Sequence, residues 1–386
     1  MKALVFDAKK QKWDKSRGFL KMDVETPILD EKKASKDANS VIIKVRFAGV
    51  CGSDKGIWGR TAFGEQILHS LKAEGKKRRI IGHEFCGNIT ATGADVKKKF
   101  GLKPGDFVSC ESHVVCNQCY QCRRGQKNVC TREKILGISY DGCFAEYIKV
   151  PAHIVWKTDK KKIRPEVAAV QEPFGNAVHA ASKANLKNQT VVIFGLGPIG
   201  LFLLLAARGL GAKKIIGVEP NPKTIAMAKK LGIDAVIKLP PKKIKEHDHA
   251  HDPAVVKQIF KLTGGIGADV SFEMSGFNSS VNNAVMSTRR GGDVILFGIK
   301  SGDFVLENYN QLIVRGQTLH AVIGREVFGT WQTTRRLLEN RKNGIQDKIW
   351  KVILDRGRGT ILPIAGYTPA KFERLLAEHP KFLIKM

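Results

Sequence analysis

Apolar and polar positions along this chain change their rhythm near Pro165. Before it, short runs are rich in β-branched residues or alternate. Examples are VIIKVRFAG (41–49), the FVSC that follows a Pro-Gly turn at 104–105, and FAEYIKV (144–150). Such runs predict strands, because successive side chains of an extended chain point to opposite faces. One stretch breaks the pattern: AFGEQILHSLKAEG (62–75) places Phe63, Ile67, Leu68 and Leu71 at helical spacing and predicts a packing helix. From 190 onward strand-like runs alternate with amphipathic ones: TVVIFG, IGLFLLLAARGLG, KIIGVE, TIAMAKKLG, AVIKL, ADVSFEMSG, DVILFGI. That alternation predicts parallel βαβ units. Beyond about 315 the pattern is irregular again and ends in the apolar FLIKM. The expected fold class is therefore α/β. A β-rich domain is built from both chain ends, 1–175 and 315–386, and a doubly wound Rossmann domain at 176–314 lies between them. No internal repeat is visible.

At 386 residues the chain is long enough for two cores. Its 43% hydrophobic and 26% charged residues suit a soluble globular protein. No apolar run is as long as a membrane span, and MKALVFDAKK lacks a signal-peptide pattern, so a reducing, cytoplasmic setting is expected and no membrane partner. The net charge of +29 is extreme. It is spread over Lys32–Lys33, Lys76–Arg79, Lys97–Lys99, Lys160–Lys162 and Lys242–Lys245, without the interleaved aromatic residues of a single-strand-binding surface. An anionic cofactor or substrate explains it better than nucleic acid, which is not expected as a partner. The run HDHAHD (247–252) beside PPKKIKE reads as a solvated loop rather than a metal site.

Cys116, Cys119, Cys122 and Cys130 form C-x2-C-x2-C-x7-C. Four thiolates suit a tetrahedral Zn²⁺ that ties down a lobe with little core of its own. The ferredoxin run has a shorter last gap and a proline after its last cysteine, whereas Thr131 follows here. A reducing compartment disfavours disulfides. A closed four-cysteine site leaves no open position, so it is structural, and chemistry belongs elsewhere.

TVVIF runs into GLGPIG, so Gly195, Gly197 and Gly200 spell G-x-G-x-x-G between a strand and a helix. Gly195 turns the chain, Gly197 admits a pyrophosphate, and Gly200 allows helix and strand to touch. Leu196, Pro198 and Ile199 complete this cofactor-binding turn, and Gly298 at the end of DVILFG is grouped with it. Glu219 ends the second strand and is placed to receive ribose hydroxyls and to repel a 2′-phosphate, which favours NAD over NADP. Lys223 nearby opposes that preference.

Cys51 in CGSD, His83 and Glu84 in GHE, and Glu172 in QEPFGNAVH are all suitable zinc ligands, although no spacing rule joins them. Together with the four-cysteine lobe and GLGPIG, these motifs occur in the order found in zinc-dependent medium-chain alcohol dehydrogenases, and the chain resembles that family over nearly its whole length. CESHVVCNQC, GCFAEY, EPFGNAVHA, FEMSG and GREVFGTW are most similar to the L-threonine 3-dehydrogenase branch, and sorbitol-type polyol dehydrogenases share several of these elements.

The resemblance implies a GroES-like catalytic domain beside the Rossmann domain. It implies a catalytic zinc on Cys51, His83 and either Glu84 or Glu172, a structural zinc on the four-cysteine lobe, two Zn²⁺ per chain, NAD, and a homodimer or homotetramer. Ser53 would take the substrate proton. The relay histidine usual five residues after the first ligand is absent, because that position is Gly56. A basic residue usual after the ribose acid is replaced by Thr224. The segment between Cys51 and His83 is longer than in the threonine branch and contains the 62–75 helix, with Lys55 and His69 as candidate relay substitutes.

The implied activity is NAD-dependent oxidation of a small secondary alcohol to a ketone, threonine dehydrogenase-like. The reactants are expected to meet in the cleft between the two domains. The alternative is a polyol or polyol-phosphate dehydrogenase, favoured by Lys72, Lys76, Lys77, Arg78 and Arg79 if these line the pocket mouth. A non-catalytic relative would show damaged motifs, and these are intact.

Overall fold

A computed structural model describes residues 1–30, 37–240, 249–299 and 303–386. The basic pairs Lys32–Lys33 and Lys242–Lys245, and His247 of the histidine run, lie outside the described residues. The chain divides into two compact units.

The first unit comprises 1–173, 326–331 and 353–386. Its main sheet is built on β1 (Ser40–Gly49) and β2 (Glu84–Thr92), which pair antiparallel with Gly49 opposite Glu84. The C-terminal strand Leu383–Lys385 pairs with the other edge of β1, with Leu383 opposite Gly49. Three chain segments thus leave the sheet at one end: Val50–Cys51, Gly82–His83 and Lys381–Phe382. Helix α1 (Gly52–Gly59) starts directly after Cys51, and α2 (Gly64–Ala73) is the helix expected over 62–75. Ile67 and Leu71 of α2 are buried in the core with Trp58 and Phe144, while Leu68 faces outward at 41% exposure.

The second unit comprises 174–325 and 332–352. Six parallel strands are arranged as β5-β4-β3-β6-β7-β8, where β3 is Thr190–Phe194, β4 Lys214–Glu219, β5 Ala235–Lys238, β6 Ala268–Glu273, β7 Thr288–Leu296 and β8 Thr318–Ala321. This is a doubly wound order whose direction reverses between β3 and β6, where such folds bind dinucleotides. Helix α3 (Pro198–Gly209) follows β3 and is buried along most of its length, as its unbroken apolar run requires.

The return to the first unit comes later than the expected position 315. β8 extends the parallel sheet beside β7. Leu337 and Ile345 pack so tightly on α3 that a Cβ at Gly209 would meet them within 2.9 Å. Lys348 caps the end of a neighbouring helix through the Leu231 carbonyl. These contacts hold 315–325 and 332–352 in the second unit, and an irregular hydrophobic pattern gives no sign of them. Among the described residues no helix is long and apolar enough to cross a membrane.

Candidate active site

The sheet register decides what gathers at the end of β1. Cys51 lies two residues beyond Gly49, and His83 one residue before Glu84. Donor atoms of Cys51, His83 and Glu84 all lie within 4.8 Å of one another. Gly49 makes room for this, since a Cβ there would come within 2.1 Å of Glu84 Oε2. Gly82, at φ +90°, lets the chain pass Phe144 before His83.

Asp54 lies under the cluster, fully buried. Its Oδ2 accepts the Cys51 backbone N–H at 2.8 Å, and its Oδ1 is 3.8 Å from His83 Nδ1. Burial pushes the Asp54 carboxyl up. Burial also opposes charge on His83, but Asp54 and Cys51 outweigh it and hold the imidazole above its ordinary value. Lys381, 1% exposed, donates to Val50 O at 2.9 Å and to Glu84 Oε2. Burial opposes its charge, yet Glu84, Cys51 and Glu172 keep it protonated. Glu172 is buried and acts through space on both His83 and Lys381, but it does not join the close donor group.

A buried thiol, imidazole and carboxylate fit a zinc ion. Glu84 Oε1, His83 Nδ1 and Ser53 Oγ are each buried without a hydrogen-bond partner, which is a high price unless a bound group satisfies them.

Cys116, Cys119, Cys122 and Cys130 form a second group within 4.8 Å. Cys119 Sγ and Cys130 Sγ are 3.8 Å apart, far beyond a disulfide but close to the ~3.8 Å edge of a tetrahedron with ~2.3 Å metal–sulfur bonds. Backbone N–H groups of Gln118 and Cys119 point at Cys116 Sγ at 3.4 and 3.2 Å. The Cys122 backbone N–H leads in holding the Cys119 thiol down at about 5. This lobe is prepared for thiolates. The other three cysteines, Cys86, Cys110 and Cys143, are buried, and burial pushes their thiols up.

In the second unit the turn after β3 divides its roles among three glycines. Gly195 sits at φ +91°, with Ser275 2.9 Å from where a Cβ would be. A Cβ at Gly200 would strike Gly195 O at 2.1 Å. A Cβ at Gly197 would meet nothing, and Gly197 faces a groove of about 550 Å³. Glu219 lines that groove, its Oε2 accepting the Leu196 N–H at 2.8 Å and its Oε1 the Asn221 N–H at 2.9 Å. Leu196 is buried, and Pro198 opens α3 as its first residue. Ile199 follows Pro198 in α3, and neither lines the groove. Gly298 is not part of the groove lining and packs instead against Gly276 and Glu273. Lys223 is exposed at the start of its helix, and neither it nor Thr224 lines the groove. The open Gly197 and the fixed Glu219 carboxylate fit a dinucleotide.

Residues 37–160 match the family described as alcohol dehydrogenase GroES-like domain, and residues 198–340 match that described as zinc-binding dehydrogenase. The L-threonine 3-dehydrogenase of Pyrococcus horikoshii is 36% identical over 302 residues, 78% of this chain and 80% of that one. The chain belongs to the zinc-dependent medium-chain alcohol dehydrogenases. It is thus an oxidoreductase of a family that uses zinc and NAD(H). Two solved structures share the fold across the whole chain. The alcohol dehydrogenase TADH from Thermus sp. ATN1 has a TM-score of 0.78 at 24% identity, covering 100% of this chain and 99% of that one. Galactitol-1-phosphate dehydrogenase from Escherichia coli has 0.78 at 23%, covering 100% of both.

Three features of this dehydrogenase differ from expectation. First, the basic run is not a free cationic cluster. Arg79 is fully buried and bonds Ser70 Oγ, Glu74 and Asp141, each at 3.1 Å. Lys76 pairs with Asp141 at 2.7 Å, and Arg78 with Asp7 at 2.7 Å. Among these five described residues, Lys72 and Lys77 are exposed and stand outside the ion pairs.

Second, a side chain at position 56 is blocked. A Cβ there would meet Ala62 Cβ at 2.8 Å, because the inserted segment folds back with Thr61 N–H bonded to Gly56 O. Lys55 lines a hollow of about 450 Å³ with Gly52, Gly56 and Thr61, and His69 is exposed on α2.

Third, the described part of the histidine run, 249–252, is not a solvated loop. His249 and His251 are partly buried and hydrogen-bonded, to Asn278 and Glu307 respectively. They join neither metal-competent group among the described residues. Asp54, Lys381 and Glu307 had no assigned role in the sequence. Only Asp54, the acid of CGSD, carries a local signal.

Proposed function

We propose that this dehydrogenase oxidises a small secondary alcohol bearing a neighbouring polar group, with L-threonine as the first candidate, to the ketone, using NAD⁺. The convergence of Cys51, His83 and Glu84 at the end of β1, beside an unpartnered Ser53 hydroxyl, is the observation that supports it most. A zinc ion held there would supply Lewis-acid activation of the alcohol oxygen. Cys51 and His83 would hold it with either Glu84, whose Oε1 is unpartnered, or Glu172 as the acid. Ser53 Oγ receives the substrate's hydroxyl proton, and Asp54 orients His83. The groove at Gly197 and Glu219 would hold the ADP half of NAD, which would supply the hydride acceptor when bound. The four-cysteine lobe holds a second zinc that is structural.

The polyol-phosphate reading loses its main support, because Arg78, Arg79 and Lys76 are already neutralised by carboxylates. The family's threonine-type relatives favour the first reading. Reduced thiols fit the cytoplasm. The edge strand β8, with exposed Tyr309, Ile313, Val314 and Ile323 beside it, supports pairing with a second copy. A screen of NAD⁺ reduction with L-threonine, 2,3-butanediol, sorbitol and galactitol 1-phosphate tests the substrate. Turnover confined to the phosphate would reject the threonine reading.

A further inference from the structure

The dinucleotide groove extends beyond Glu219 toward the end of β5, where Leu239 and Pro240 form one wall and residues 250–253 another. The second wall is the described part of the histidine run. With α4 (Pro222–Leu231) the helix after β4, the helix after β6 is α5 (Asn278–Ser287), and the wall is fixed to it by three buried asparagines. Asn278 Nδ2 lies 2.6 Å from His249 Nδ1. Asn282 Nδ2 donates to His249 O at 2.6 Å, and Asn283 Oδ1 accepts the Asp252 N–H at 2.7 Å. Asp252 then caps the next helix through the Ala254 N–H.

Glu307 makes the last tie. Its Oε2 accepts both the backbone N–H of His251 at 2.8 Å and the ring Nδ1 at 2.7 Å. Its own N–H donates to Asn282 Oδ1 at 2.9 Å, so one buried asparagine ties Glu307 to the backbone of His249. The two bonds from His251 hold the Glu307 carboxyl below its usual range. In the neutral imidazole a carboxylate on Nδ1 assigns the ring proton to that nitrogen and leaves Nε2 as an acceptor. This many ties on an otherwise polar loop preorganise a ring at the groove wall.

Gly197 and Glu219 account for the pyrophosphate and the adenosine ribose. The base must therefore occupy the remaining volume, between β5 and the loop. Adenine has one hydrogen-bond donor, its 6-amino group. We propose that His251 is a cofactor-contacting residue whose Nε2 accepts a hydrogen bond from the adenine 6-amino group, with Glu307 as the positioning residue that fixes the ring. This rests on the NAD reading of the groove and deepens it.

Calorimetric titration of the zinc-loaded protein with ADP-ribose and with its hypoxanthine counterpart, which carries a carbonyl in place of the amino group, tests the contact. The wild type is expected to bind ADP-ribose about 5–10-fold more tightly than the hypoxanthine form. His251→Ala should bind both at the weaker level. His251→Gln, which can present an oxygen acceptor near the Nε2 position, should recover part of the preference. Equal affinity of the wild type for the two ligands overturns the proposal, and so does a preference that survives in His251→Ala. If His251→Ala does not fold, His251→Phe, which fills the ring's place without an acceptor, carries the same comparison. Failure of the wild type to bind either ligand would instead reject the NAD reading of the groove, and with it the proposal.

Discussion

Lys381 Nζ forms an ion pair with Glu84 Oε2 in a site closed to water, across 297 residues of sequence. The strand ending in Lys385 places the lysine there by pairing with β1, opposite the edge that carries Glu84. The pair neutralises one acid of the Cys51–His83–Glu84 group and leaves Oε1 of the same carboxylate buried without a hydrogen-bond partner.

Removing one partner of a buried ion pair strands the other charge. Lys381→Met is therefore expected to destabilise the fold by about 3–5 kcal/mol. Urea unfolding measures this. Combining it with Glu84→Gln should restore a large part of the loss, because neither charge of this pair then remains buried. A single variant as stable as the wild type would show that the pair contributes nothing.

Metal analysis should find two zinc ions per chain, one for each donor group. Cys51→Ser should lose one ion and the activity while the protein stays folded. Cys119→Ser should lose the other ion and stability with it, since the lobe's small core of Val115, Cys122 and Cys130 cannot hold it alone. Iron in the four-cysteine lobe, or one zinc in fully loaded protein, would contradict the assignment.

What the sequence discloses follows from distance along the chain. The four-cysteine lobe and G-x-G-x-x-G are legible because their function lies in spacings of a few residues. The α2 helix is legible because burying Ile67 and Leu71 requires a period of 3.6. The Lys381–Glu84 pair is not, because a lysine in HPKFLIKM looks like any exposed lysine until the strand register buries it. Arg79 misleads for the same reason: a basic run reads as surface charge, and only the fold brings Glu74 and Asp141 to it. The histidine run misleads because the asparagines that hold it belong to α5, whose polar residues look solvent-facing. The domain boundary slips because β8 adds to the sheet without a preceding helix of strong period.

Ser53→Ala should lower kcat by about 10²-fold or more, the range of a positioned proton acceptor. Gly56→His should not restore a histidine relay. Ala62 occupies the space, so overpacking should cost about 1–3 kcal/mol instead. Thermal unfolding and the pH–rate profile together check this. A stable Gly56→His protein with a shifted pH–rate profile would show that the inserted segment yields.

Glu219 presents a fixed carboxylate to the groove, and exposed Lys223 does not reach its lining. NAD⁺ should therefore exceed NADP⁺ in kcat/KM, and Glu219→Ala should narrow the ratio mainly by weakening NAD⁺. An unchanged ratio in the variant would move the discrimination to another residue.

The inserted segment is expected to act through stability rather than through substrate charge. Arg79 is surrounded by Ser70, Glu74 and Asp141, and its guanidinium has no exposure to attract an anion. Arg79→Met removes three hydrogen bonds, two of them to carboxylates that are themselves 20% and 32% exposed and can rehydrate. The expected loss is about 2 kcal/mol, the range of hydrogen bonds to charged groups, and lower than for Lys381 because the stranded carboxylates reach water. KM for L-threonine should stay within about twofold of wild type, as suits a change with no altered charge at the substrate. Activity should show little dependence on salt, since exposed charges act over about 10 Å at ordinary ionic strength and the segment's charges are mostly paired. Steady-state kinetics at two salt concentrations, with unfolding midpoints on the same preparations, separates the effects. A rise in KM for an anionic substrate with an unchanged midpoint would return the basic run to the pocket.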